Sequence, residues 1–376
     1  MKTFKLSNLL EKYKLKDYKF ILLISVLSLA FIGVMVIGSA RESLQSRQIF
    51  GMIVGAICMI VISLINYTWI SKFYWLIYGL NIVLLLAVRL FGHHSGGATR
   101  WLDFGFITFQ PSELSKFLLI VFFAKFILNH EDMLHSPKVI LKAIGLLLPP
   151  ITLIYLQPDG STTFSIVAVF CILLYVGGLS YKIIGTVLLV LIPVSLIFLS
   201  IAVRPDQPFL KGYQQQRILA WLQPEKYKDT ALQQTNSIIA IGSGQLSGKG
   251  LNNNTTTSLK NGNYLLEPET DFIFTIVGEE LGFIGACTII GLQLLIVVQC
   301  ILVGWKASDI LGQIICTGVA AQIGIQSFIN ISVTTGILPT TGIPLPFVSY
   351  GLTSLVSFMI GIGLVLNVGL QPKKHQ

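Results

Sequence analysis

Uncharged apolar runs of membrane-spanning length recur from one end of the chain to the other, and they constrain the fold more than any other feature. Roughly 18–25 apolar residues in a helix cross a hydrocarbon core of about 30 Å. Ten such runs are legible, at 20–40, 48–65, 73–91, 112–129, 139–156, 161–177, 183–203, 282–304, 309–331 and 348–369. The expected fold is an all-α polytopic membrane protein with ten transmembrane helices, a large extracellular loop and re-entrant outer segments.

Composition agrees. Of 376 residues, 53% are hydrophobic and 11% charged, more apolar surface than a soluble domain of this size needs. The net charge is +9, from 26 Lys and Arg against 17 Asp and Glu. In a soluble protein that excess would suggest nucleic acid. Here Lys2, Lys5, Lys12, Lys14, Lys16 and Lys19 crowd the N-terminus, which reads as a cytoplasmic anchor facing anionic membrane lipid, with no nucleic-acid partner. The first apolar run is of full spanning length and lacks a small-residue cleavage site, so it is not a signal peptide. Ten crossings from a cytoplasmic N-terminus return the C-terminus to the cytoplasm, where Lys373 and Lys374 agree, while the short outer loops carry only Arg41, Arg47 and Arg100. The whole of 1–376 is then one membrane domain, with a basic N-terminus at 1–19 and a C-terminus at 370–376. The large extracellular loop is 204–281 and an outer re-entrant loop is 332–347. Five cysteines inside apolar runs show no zinc-ligand spacing, and the histidines form no metal motif.

Three outer segments are more than connectors. Residues 92–111, "GHHSGGATRWLDFGFITFQP", combine glycines, aromatics and an Arg-Trp pair. Residues 332–350, "SVTTGILPTTGIPLPFVSY", are rich in Gly and Pro yet uncharged, as suits irregular backbone buried in protein or lining a cavity. Residues 267–286, "EPETDFIFTIVGEELGFIGA", gather five acids at the threshold of a long apolar run. Because 282–305 can span alone, 271–281 is expected as a short helix on the outer rim, its acids facing outside.

The candidate chemical groups lie on that side. Thr270 and Asp271 suit a helix start, a reading that spacing alone favours. A general base held in a partly desolvated setting is the alternative for Asp271. In "FQPSELSK" (109–116), Pro111 suits the first helical position, and Glu113 and Lys116 share a helix face, either as a helix-end anchor or as a pair facing a cavity. Asp159 in "YLQPDGSTT" is by itself an ordinary turn residue. "GSGQLSGKGL" lacks the strand-to-helix setting of a nucleotide loop.

Taken in order, "GGATRWLDFGFITFQPSELSKF", "YLQPDGST", "YQQQRILAWLQPE", "IAIGSGQLSGKGL", "ETDFIFTIVGEELGFIGA" and "NISVTTGILPTTGIPLPFVSYG" resemble the SEDS family, over essentially the whole chain. The resemblance implies a ten-span peptidoglycan glycosyltransferase that polymerises lipid II on the outer face of the bacterial cytoplasmic membrane. It also implies a class B penicillin-binding protein as partner, met partly through apolar outer ends and the re-entrant loop. Asp271 matches the family's essential aspartate. Glu113 and Lys116 match its paired acid and lysine, Asp159 the Asp of its Gln-Pro-Asp turn, and Arg100 and Arg217 its Arg-Trp and Gln-Arg positions. With the resemblance, catalysis becomes the reading for Asp271. Lys116, Arg100, Arg217 or a bound divalent cation (Mg or Mn) are candidates to stabilise the leaving pyrophosphate. The rival readings are a lipid II flippase and a non-catalytic scaffold. The chain departs from the family at Glu269, Gly160, Gln245 and Leu352.

Overall fold

The computed structural model describes residues 18–371, apart from 96–97, 106–107, most of 182–202, 205–211 and 253–266. The expected span at 183–203 and nearly all of the two tails fall outside the described residues. The helices are α1 (Phe20–Ala40), α2 (Glu42–Leu64), α3 (Tyr67–Lys72), α4 (Tyr74–Phe91), α5 (Pro111–Leu128), α6 (Pro137–Leu156), α7 (Gly160–Val176), α8 (Gly212–Leu222), α9 (Lys228–Ser243), α10 (Ile273–Trp305), α11 (Ile310–Thr334) and α12 (Leu352–Leu370). Among the described residues, α1, α2, α4, α6, α10, α11 and α12 are long and apolar enough to cross a membrane. Two further helices coincide with expected spans. Of these, α5 carries Glu113, Lys116 and Lys125, and α7 has 17 residues. Between α4 and α5 lies a small antiparallel sheet of β1 (His93–Ser95), β2 (Ala98–Asp103) and β3 (Thr108–Phe109).

All the spanning helices are apolar, so hydrophobicity does not decide which is central. Close approach and polar partners do. About two thirds of α11 and α12 is buried, against less than a fifth of α4. Helix α12 lies tight on α2: a Cβ on Gly363 would stand 2.7 Å from the Met59 carbonyl, and one on Gly55 2.5 Å from the Met359 sulfur. Small residues of this kind let backbones meet in lipid, where no hydrophobic force drives helices together.

The acidic stretch forms a short helix, but not on an open rim. Helix α10 breaks at Gly282, with φ 65 and ψ −162, and residues 272–280 are all buried. The break frees backbone groups, and the glycine-rich loop after α9 satisfies them. Lys249 and Gly250 amides donate to the Glu279 and Glu280 carbonyls at 3.0 and 2.9 Å, and Phe283 donates to the Gln245 carbonyl at 2.8 Å. A Cβ on Gly244 would lie 1.9 Å from the Gly278 carbonyl, so this docking needs glycine. The side chains follow: Glu279 pairs with Lys249 at 2.8 Å, and Glu280 accepts from Ser39 at 2.6 Å. The expectation that all five acids face outside is therefore corrected, since Glu269, Glu279 and Glu280 are buried and partnered.

The re-entrant segment is also enclosed by protein. Helix α11 continues to Thr334, and irregular backbone follows to Gly351. Buried carbonyls without partners are costly, and here side-chain amides from neighbouring helices supply the donors. Gln326 donates to Pro344 O at 2.9 Å, Gln293 to Pro346 O at 2.7 Å, and Gln48 to Ser349 O at 3.2 Å. From the other side, Gln234 of α9 donates to Val333 O and Leu338 O, and Trp221 of α8 to Gly336 O. Ile343, Leu345, Phe347 and Val348 are all buried within the chain. Ile337 of the same segment is 61% exposed, so the loop keeps apolar surface outside its own packing.

Candidate active site

Asp271 lies between this segment and α10. The helix begins at Ile273, and its N-cap, Phe272, makes no side-chain capping bond. The helix start thus falls two residues too late for Asp271 to open the first turn, and the capping reading is corrected. The peptide groups around it are held from outside. Tyr350 N donates to Glu269 O at 2.8 Å, Ser349 Oγ to Thr270 O at 2.6 Å, and Asn330 Nδ2 to Asp271 O at 2.8 Å. Glu269 itself is anchored by Arg41 at 2.8 Å.

The carboxyl is left half-buried. Gly342, at φ +79, faces it so closely that an added Cβ would lie 3.3 Å from Asp271 Oδ2. Burial pushes the Asp271 carboxyl up from 3.8 to about 6. Glu267 and Asp159 push the same way, while Arg217 and Arg100 pull it down. The structure thus brings Asp271, Arg100, Arg217 and Asp159 into one electrostatic neighbourhood.

Each of those neighbours is placed by its element. Arg100, on β2, donates from Nε to Gln157 O at 3.1 Å, and its guanidinium also binds Pro158 O. That fastens the 157–159 turn. Asp159 is buried and caps α7, accepting from the Thr162 amide at 3.2 Å. Ser161 then donates to Thr341 O at 3.0 Å, tying the turn to the segment that carries Gly342. Arg217 is exposed on α8.

Glu113 and Lys116 sit apart from this cluster. Pro111 opens α5 as expected, and the pair closes at 2.7 Å with both side chains buried. Lys116 Nζ also donates to Gln326 Oε1 at 2.9 Å and lies 5.4 Å from the Phe358 ring centre. Two of the three ammonium donors are thus engaged inside the protein, and the side chain is 1% exposed. It lines a small, partly open pocket with Gln322, Phe123 and Phe170.

Sequence reasoning missed Asn330, Gln326 and Ser349. A signal existed for the amides, since Gln322, Gln326 and Asn330 interrupt an apolar run at four-residue spacing. Among the described residues no three His, Cys, Asp or Glu side chains gather as a protein-held metal site requires. A divalent cation here would be held by one or two carboxylates together with substrate phosphate.

Known proteins with this pattern are similar over nearly the full length. The model of a family described as cell cycle protein, comprising FtsW, RodA and SpoVE, matches residues 13–374. The peptidoglycan glycosyltransferase MrdB of Escherichia coli K12 is 33% identical over 354 residues, covering 92% of each chain. The probable peptidoglycan glycosyltransferase FtsW of Nitrosomonas europaea is 34% identical over 80% of this chain and 76% of its own. A solved structure described as structural coordination of polymerization and crosslinking by a peptidoglycan synthase complex is similar at a TM-score of 0.78. Its identity is 26%, over 94% of this chain and 97% of that one. The crystal structure of Thermus thermophilus rod shape determining protein RodA shares the fold, at a TM-score of 0.67 and 24% identity over 94% and 96% of the two chains.

Proposed function

The chain belongs to the FtsW/RodA/SpoVE cell cycle protein family, and on that premise we propose that it is a peptidoglycan glycosyltransferase polymerising lipid II into glycan strands. One arrangement carries the reading: a half-buried carboxyl on a backbone held from outside, facing Gly342 and raised by burial to about 6, with two arginines in its field. A base with that pKa is ionised at neutral pH yet still basic enough to take a proton, the compromise that positioned acid–base catalysis favours.

In the proposed reaction, Asp271 accepts the proton of the acceptor sugar's 4-hydroxyl. The oxygen bonds to the donor's anomeric carbon as that carbon's bond to pyrophosphate breaks. Configuration inverts and undecaprenyl pyrophosphate leaves. Its developing charge falls in the field of Arg217 and of Arg100, the latter held by two backbone carbonyls before the reaction begins. Asp271 then returns its proton to water. Asp159 holds the α7 end and, with Glu267, keeps the Asp271 carboxyl basic. Glu113 and Lys116 brace α5 against α11. The lipid tails reach the site from the bilayer between helices. The site faces the outer side of the cytoplasmic membrane with both termini inside, and a class B penicillin-binding protein cross-links the product.

Purified protein in vesicles, supplied with lipid II, tests this. Glycan strands should form. Translocation of lipid II without polymer would point to a flippase, and neither reaction, with binding of a penicillin-binding protein retained, to a scaffold.

A further inference from the structure

We propose that Asn330 is the positioning residue for the base: one side-chain amide ties the Asp271 peptide to the wall of the site, fixing where the carboxyl stands. The proposal rests on the assignment of Asp271 as that base. Asn330 Nδ2 donates to Asp271 O at 2.8 Å and to Ile343 O at 2.7 Å, using both protons of one planar group. The α10 ladder starts at Phe272 O, which accepts from Thr275 N at 2.9 Å, so Asp271 O lies one residue outside it. Ile343 follows Gly342, the residue whose missing Cβ leaves room for Asp271 Oδ2. The same amide therefore holds the carboxyl's backbone and the wall facing the carboxyl.

Its own mounting is firm. Asn330 is buried on α11, and one turn earlier Gln326 holds Pro344 O while accepting from Lys116. Residues 326 and 330 share a helix face, and between them they fix two successive residues of the irregular segment. The chemistry of the donor matters too. Lys or Arg could also donate here, but a cation behind Asp271 would lower its pKa and weaken the base. A neutral amide holds the peptide and leaves the carboxyl basic. The amide's oxygen, Oδ1, has no hydrogen-bond partner among the described residues, a burial penalty that the two donated bonds must outweigh.

The test compares Asn330→Leu and Asn330→Asp, each with Asp271 intact and with Asp271→Asn, in lipid II polymerisation over a range of pH. The charged groups in the field of Asp271 are Glu267, Asp159, Arg217 and Arg100, and none is altered. With Asn330→Leu, kcat should fall by about tenfold to a hundredfold, as misplacement near 1 Å produces. KM for lipid II should stay put, and the acidic limb should move below its wild-type position as the freed carboxyl gains water. Asn330→Asp, nearly equal in volume, faces two carbonyl oxygens and can donate only one proton. It keeps one of the two bonds while protonated and repels Asp271 once ionised, moving the limb the other way. It carries the test should the leucine variant not fold. In the Asp271→Asn background either change should have almost no further effect on rate, because no base remains to misplace. Wild-type kcat with an unmoved limb, or an equal loss in both backgrounds, overturns the positioning role while leaving the base assignment standing. Near wild-type turnover by Asp271→Asn alone removes the base assignment and this proposal with it.

Discussion

Glu113, Glu269 and Glu279 each have a basic nitrogen at 2.7 or 2.8 Å, whereas Asp271 has no ion pair among the described residues. The contrast runs through a single stretch of chain, since Glu269, Asp271 and Glu279 lie within eleven residues. The paired acids fasten segments to one another: α5 to α11 through Lys116, the site loop to the end of α1, and the glycine-rich loop to α10. Asp271 fastens nothing with its side chain. Its backbone is held and its carboxyl is left in a setting that favours the protonated form. A group placed like that weakens the fold at neutral pH and is retained for what it does to something else.

The three pairs share a distance but differ in burial, so removing the basic partner should give graded effects. Lys116 is 1% exposed, and Lys116→Met leaves Glu113 buried beside an apolar side chain. We expect a loss of about 3–5 kcal/mol in thermal unfolding of the solubilised protein, the range for breaking a buried pair. The swap Glu113→Lys with Lys116→Glu should recover most of it. Lys249 is 21% exposed, water can reach its end of the pair, and Lys249→Met should lose about 1–3 kcal/mol. Asp271→Asn should do the opposite. A carboxyl whose pKa is higher folded than unfolded favours the fold while protonated, and that contribution is lost as pH rises through about 6. The asparagine variant should therefore be more stable than wild type at pH 8, by on the order of 1–2 kcal/mol, and equal to it near pH 4. Arg41 is 61% exposed, so water reaches this pair most freely, and Arg41→Met should lower Tm least of the three. A large loss at Arg41, or destabilisation by Asp271→Asn at pH 8, would dissolve the distinction between the two kinds of acid.

Apolar run length made most spans readable, and Pro111 marked the start of α5 where the structure has it. Topology grouped Asp271, Arg100, Arg217 and Asp159 with Glu113 and Lys116 on the outer side, and the resemblance then singled out Asp271 for catalysis. Burial of Glu279 and Glu280 was hidden because it depends on a loop about thirty residues upstream closing over a helix break. Gly282 reads in sequence like any other residue of an apolar run. The amides of α11 were visible, but their partners are backbone carbonyls of 343 and 344, which leave no mark in side-chain pattern. For Lys116, spacing shows that it meets Glu113, not that Gln326 and Phe358 pack against it.

The account stands or falls on the carboxyl of Asp271. The direct measurement is the rate of glycan-strand formation from lipid II, by wild type and Asp271→Asn at matched folding, across pH 4.5 to 8.5. Wild type should gain activity through an acidic limb near pH 6, and Asp271→Asn should be at least about a hundredfold slower at neutral pH with that limb absent. An asparagine variant that polymerises at near wild-type rate, with the limb still in place, would contradict it.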